Sequence, residues 1–181
     1  MSIDFQEGGL DRLSTFFRLF WAIPAIIVLT LVGSALSGPA ALTILFRQKY
    51  PQWWFDFNLQ LTRFSTRVVA YAALMTDRYP STDEEQSVHL DLDYPNVKQD
   101  LNRWLPLVKW LLAIPHYIVM AVLGIGVAVA VLIAWFAILF TGRYPRGIFN
   151  FVEGFFRWGL RVQAYAFLLV TDSYPPFRLS A

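Results

Sequence analysis

The 181-residue chain contains no cysteine. This excludes disulfides, thiolate metal sites, iron–sulfur ligation, a cysteine nucleophile and a lipid-modified cysteine. Charge is sparse as well: Asp, Glu, Lys and Arg make up 15% of residues, against about 25% in ordinary soluble domains. With 15 basic and 13 acidic residues the net charge is only +2, too little to follow a phosphate backbone, and no nucleic-acid partner is expected. Histidine is limited to His89 and His116, which share no ligand-type spacing, so neither zinc, haem nor another cofactor is expected. The chain also lacks a phosphate-binding glycine loop, a Gly-x-Ser-x-Gly elbow and a metalloprotease helix motif, and enzymatic activity is not expected. Asp83-Glu84-Glu85, Asp91 and Asp93 read as a solvated acidic segment rather than a cation site.

Apolar surface is abundant. Hydrophobic residues make up 56% of the chain and aromatics 17%, a composition that points to a protein in contact with lipid and headgroup water. Leu19 to Phe46 carries no charged side chain, and the stretch from about Leu105 to Phe140 is broken only by Lys109 and His116. Each exceeds the ~20 residues that a bilayer-spanning helix needs. The acidic start, with Asp4, Glu7 and Asp11, argues against a cleaved signal peptide. Basic residues flank both ends of both stretches: Arg12, Arg18, Arg47 and Lys49 around the first, Arg103, Lys109, Arg143 and Arg146 around the second. Because basic flanks stay cytoplasmic, this symmetry favours a helical hairpin in each stretch over one long tilted helix. Gly33-Ser34-Ala35-Leu36-Ser37-Gly38-Pro39 and Gly124-Ile125-Gly126 supply the expected turns.

The chain repeats itself. Ala22-Ile23-Pro24 returns as Ala113-Ile114-Pro115 about 91 residues later, Tyr50-Pro51 as Tyr144-Pro145, and Arg63, Arg67 and Tyr71 as Arg157, Arg161 and Tyr165. Each half closes on Thr-Asp-x-Tyr-Pro, at Thr76 to Pro80 and Thr171 to Pro175. The expected organisation is a polar N-terminal segment (1–11), a membrane repeat (12–80), a polar linker with a short strand near Val88 to Tyr94 (81–102), and a second repeat with the C-terminal tail (103–181). The strand needs a partner, either Ile3-Asp4-Phe5 or another protein. The Tyr-Pro pairs read as corners, with proline ending a helix and tyrosine suited to headgroups.

After each hairpin comes an amphipathic segment, about Trp53 to Met75 and Ile148 to Val170, whose charges form one narrow stripe. Glu153 precedes Arg157 by four residues, the favourable orientation for a helical ion pair. Two roles are open for Arg63, Arg67, Arg157 and Arg161: gripping lipid phosphates from an interfacial helix, or pairing inside the protein, for example with Asp77 and Asp172. His116 is a weak intramembrane candidate, whose repeat counterpart is Ala25.

One further set of residues carries a resemblance. Leu112-Ala113-Ile114-Pro115-His116, Trp135 to Phe140 with Thr141-Gly142-Arg143-Tyr144-Pro145, Arg157-Trp158, Arg161, and Thr171-Asp172-Ser173-Tyr174-Pro175-Pro176-Phe177 resemble the bacterial membrane family known as domain of unknown function 4389. The first half resembles a divergent copy, with Phe46-Arg47-Gln48-Lys49-Tyr50-Pro51 in place of the Phe-Thr-Gly-Arg-Tyr-Pro form. The resemblance implies a bacterial inner membrane protein and transfers no activity, catalytic residue or cofactor.

The expected fold is therefore an all-α integral membrane protein: two tandem repeats, each a transmembrane hairpin followed by an amphipathic interfacial helix, joined by a short polar, extended linker. The expected function is that of a non-enzymatic scaffold, lipid-organising element or accessory subunit, in a multi-pass protein with both termini cytoplasmic. Membrane lipids and a larger complex or homo-oligomer are the expected partners. A small oligomeric transporter or channel, and a protein that shapes membrane curvature, are the alternatives.

Overall fold

A computed structural model describes residues 1–6, 9–33, 38–82 and 88–180. Helices dominate. In chain order they are α1 (Arg12–Gly33), α2 (Gly38–Arg47), α3 (Gln52–Ala72), the short α4 (Val97–Asp100), a 3-10 turn (Leu105–Leu107), α5 (Lys109–Leu112), α6 (Ile114–Thr141) and α7 (Arg146–Ala166). Two short strands, β1 (Ser2–Ile3) and β2 (Val88–His89), pair antiparallel, with Ser2 opposite His89 and Ile3 opposite Val88. The linker strand thus takes its partner from the N-terminus of the same chain.

The second apolar stretch does not turn back at its glycines. Residues 114 to 141 form one continuous helix, about 42 Å long at 1.5 Å per residue. Gly124 and Gly126 lie inside it, and a Cβ at either would sit 3.8 Å from the rings of Phe155 and Phe151. Small residues serve here to let a neighbouring helix approach, a role indistinguishable from a turn in sequence alone. The reversal comes later, at Gly142, whose φ of 72° closes the helix while its N–H donates to the Ile138 carbonyl at 2.7 Å. Pro145 then caps α7, which runs back along α6 with Met120 near Gly159 and Ala113 in one cluster with Ala166. Each repeat does contain a helical hairpin, but its returning arm is the helix expected to lie alone at the interface. For the first stretch, Ser34 to Ser37 of the expected turn lie outside the described residues, as does the acidic run Asp83-Glu84-Glu85.

The first repeat follows the same plan with modifications. Pro24 sits inside α1, where it has no N–H to offer the Phe20 carbonyl, and α1 bends by 46° between Arg12–Arg18 and Phe20–Thr30. In the second repeat the equivalent proline, Pro115, opens α6 after the separate α5. Gln48 occupies the place of Gly142 with a φ of 48°, a left-handed conformation that suits glycine far better. α3 returns along α1, packing Phe64 and Val68 on Ala25.

The two repeats interlock. Tyr50 of the first donates its phenol to the Leu168 carbonyl of the second at 2.9 Å, and Tyr144 of the second donates to the Ala73 carbonyl of the first at 3.3 Å. These two tyrosines are buried corners, not headgroup contacts, whereas Tyr79 and Tyr174 are exposed. Phe16 of α1 stacks on Trp135 of α6, and the Trp135 indole donates to the Thr15 carbonyl. The result is three layers. α1 and α6 form the first, α3 and α7 the second, and the β1–β2 pair with the tails lies across α3 and α7 as the third. The largest core cluster joins the last two to α6 through Ile3, Val88, Ala70, Val127 and Val152.

Among the described residues one helix, α6, is long and apolar enough to cross a membrane, with a mean hydropathy of 2.8 over its most apolar 18 residues, and the two parts of bent α1 pass the same test only together.

Candidate functional site

The closing Thr-Asp-x-Tyr-Pro motifs each hold a buried cation. Arg18, with 0% exposure, forms an ion pair with Asp77 and donates to the Thr76 carbonyl at 3.1 Å, while Asp77 also accepts the Asp11 N–H at 3.0 Å. Lys109, also at 0%, lies 2.6 Å from Asp172 and donates to the Thr171 carbonyl at 2.7 Å; Asp172 accepts the Asn102 N–H at 2.5 Å. Tyr71 faces the first cation at 5.2 Å and Tyr165 the second at 5.1 Å. The same latch is thus built twice, once with a guanidinium and once with an ammonium. Burial pulls the Lys109 ammonium below its ordinary range, against the opposing pull of Asp172. Pairing with the helix arginines was one of the two roles left open for Asp77 and Asp172, and the partners the structure gives them are the basic residues at the head of each repeat. The available signal was that Arg18 and Lys109 stand at matching positions of the repeat.

The arginines of α3 and α7 face the polar layer. Arg63 donates to the Leu90 carbonyl at 2.8 Å and pairs with Asp91 at 2.5 Å, and Arg67 donates to the Ser81 carbonyl at 2.6 Å. Arg157 donates to the Met1 carbonyl at 3.1 Å and pairs with Glu153 at 2.9 Å, as their four-residue spacing predicts. Arg161 donates to the carbonyls of Arg178 and Ser180. Each guanidinium supplies donors to extended backbone that has few partners of its own, and so fastens strand, linker or tail to a helix. The other ring of contacts is around His116. It is fully buried, stacks on Phe177 at 4.0 Å, and has Tyr174 and Trp158 beside it. Neither ring nitrogen has a hydrogen-bond partner among the described residues. The imidazole faces α7 and the C-terminal tail and packs there as one ring of an aromatic cluster.

The outward face of the first layer is different. Along α6, Ile118, Val122, Ile125, Val129, Leu132, Phe136 and Phe140 are all exposed, and on α1 so are Leu13, Phe16, Phe20, Ile23 and Ile27. No residue of α7 from Phe151 to Ala166 is exposed. An apolar surface of this extent is far beyond the isolated exposed side chains normal in soluble proteins. Exposed Trp21, Trp53, Trp104 and Trp110 accompany it. Basic residues gather at the two ends of the layer. Arg12 reaches to Gly142 at the C-terminus of α6, beside exposed Arg143 and Arg146. At the other end Arg103 donates to the Leu45 carbonyl of α2, near exposed Arg47 and Lys49. There a cleft of about 580 Å³ is lined by Arg47, Lys49 and Lys98 together with Tyr50 and Tyr94, and among the described residues no carboxylate lines it.

The model of a family described as a domain of unknown function (DUF4389) matches this chain twice, over residues 12–82 and 104–178. The two matches coincide with the two structural repeats. No curated protein matches the chain, and no solved structure matches it.

Proposed function

The chain belongs to the DUF4389 family, which it carries as two tandem copies, and we propose that it is a non-enzymatic membrane scaffold that organises lipid or serves as an accessory subunit of a larger complex. The observation that carries this reading is the apolar outer face of α1 and α6 with cations at both ends. Lipid tails satisfy such a face, and anionic headgroups satisfy its ends. The described chemistry supports a structural role: the buried Arg18 and Lys109 are consumed in latches, and the arginines of α3 and α7 hold the chain's own segments. We place it at the bacterial inner membrane with both termini on the cytoplasmic side. Cell fractionation followed by an alkaline carbonate wash tests the reading. The chain is expected to stay with the membrane pellet, and recovery in the wash would overturn the proposal.

A second reading follows from the one-sidedness of the apolar layer, which would expand one leaflet relative to the other and so bend it. Purified protein should then shrink or tubulate vesicles. Unchanged vesicle shape at high protein density would remove that reading.

A further inference from the structure

We propose that the molecule lies in one leaflet with α1 and α6 parallel to the membrane plane, rather than crossing the bilayer, and that its two basic ends grip anionic phospholipid headgroups. The inference rests on the membrane reading above and specifies how the apolar face is seated.

The height of the polar layer carries it. Phe151 and Phe155 pack on Gly126 and Gly124, so Glu153 stands level with the middle of α6. Glu153 accepts the Ile3 N–H at 3.1 Å, and Arg157 next to it holds the Met1 carbonyl, so β1 is tied to that same level. On the other repeat Arg63, mid-way along α3, holds Leu90 and Asp91 just beyond β2. The strand pair therefore crosses the centre of the helices, not their ends. Were α6 upright in a bilayer, its midpoint would lie at the hydrocarbon centre, and so would Asp91, whose side chain is 90% exposed, with Asp4 at 65% and His89 at 62%. Exposed charges do not persist in hydrocarbon. Laying α6 flat removes the conflict: the apolar layer enters the leaflet, α3 and α7 lie between it and the strand pair, and the strands face water.

Charge placement agrees. In an upright helix the cations at the two ends would lie in different compartments, whereas a flat layer puts Arg143 and Arg146 at one end, and Arg47 and Lys49 at the other, at one headgroup level. The symmetry of basic flanks that favours hairpins in sequence is met here without any turn inside α6. A helix of about 42 Å also exceeds the roughly 30 Å hydrocarbon thickness.

The absence of cysteine makes the test direct, since each single-cysteine variant carries one spin label. Ile118→Cys, Val129→Cys, Phe136→Cys and Asp91→Cys of the full chain are bound to vesicles of phosphatidylcholine and phosphatidylglycerol. Depth is then read from collisions with oxygen and with a water-soluble nickel chelate. The three α6 labels are expected at one depth, about 5–10 Å below the headgroups, with the Asp91 label in water. A profile with the label at 129 deepest and those at 118 and 136 shallower on either side would overturn in-plane seating and leave the membrane reading intact. Failure of the unsubstituted chain to float with the vesicles would overturn both. Arg47→Gln and Lys49→Gln should each weaken flotation about fivefold on anionic vesicles and leave it unchanged on pure phosphatidylcholine. An equal loss on both lipids would overturn the headgroup role of that end.

Discussion

Removing the carboxylate from one of the two latches separates their chemistry. In Asp172→Asn, Lys109 keeps its carbonyl contact to Thr171 and its position over Tyr165, but loses the countercharge 2.6 Å away while remaining at 0% exposure. Breaking a buried pair from one side typically costs about 3–5 kcal/mol, a large share of the roughly 5–15 kcal/mol that holds a domain folded. The asparagine oxygen still accepts the Asn102 N–H, so the loss reports the stranded ammonium. Lys109→Met combined with Asp172→Asn removes that charge, and should lie within about 1–2 kcal/mol of the parent. Unfolding in mixed micelles, followed by the fluorescence of the seven tryptophans, gives both numbers. The pH dependence supplies the sharper contrast. Burial already lowers the Lys109 ammonium, and without Asp172 it falls further. The unfolded chain then holds this proton over a range where the folded chain has released it, so the stability of Asp172→Asn rises with pH until free lysine titrates near 10.5. Asp77→Asn strands a guanidinium instead, a group that stays charged in proteins, and offers no such recovery. A loss below about 1 kcal/mol in Asp172→Asn, or the same pH profile in both variants, would refute the assignment of the two latches.

Gly154→Ala would place a Cβ 2.9 Å from the Leu179 carbonyl, so the C-terminal tail must lift; a loss of about 1–3 kcal/mol and faster proteolysis after Arg178 are expected. Gln48→Gly relieves the left-handed conformation at φ 48° and should raise stability by about 1 kcal/mol in the same unfolding assay. The Tyr50 phenol, buried against the Leu168 carbonyl, is pushed up from 10.0 to about 12. The unfolded chain ionises first, so this contribution is intact below pH 10 and lost as pH rises towards 12, by about 3 kcal/mol in all. Ultraviolet difference titration should show the delayed phenolate, and Tyr50→Phe should abolish that phase.

Much of the architecture was legible because it is local. The repeat, the apolar stretches and the proline corners before α3 and α7 all appear as expected, since a proline or a run of Leu, Ile and Val acts through its own neighbours. The pairing of Glu153 with Arg157 was legible for the same reason, being one helical turn apart. The site was less legible. Asp77 could have met Arg63 or Arg67 on the adjacent helix, and Arg18, 59 residues away, was marked only by standing where Lys109 stands in the other repeat. His116 looked like an ionisable group in an apolar helix, and only Trp158, Tyr174 and Phe177 make it a packed ring.

Composition and periodicity by themselves determined that this chain is two copies of one apolar helical unit, with cations at each end and a polar joint between. Tertiary structure alone decided where each unit reverses and which way its charges point. The reason is physical. Two glycines in an apolar run lower the energy of a turn and of a close helix contact alike, and the choice falls to Phe151 and Phe155, which fill the space beside them. Cations at both ends of a stretch suit a hairpin and a helix lying flat equally well. What excludes a turn inside the second stretch is the unbroken α6, Ile114–Thr141, against which distant α7 packs.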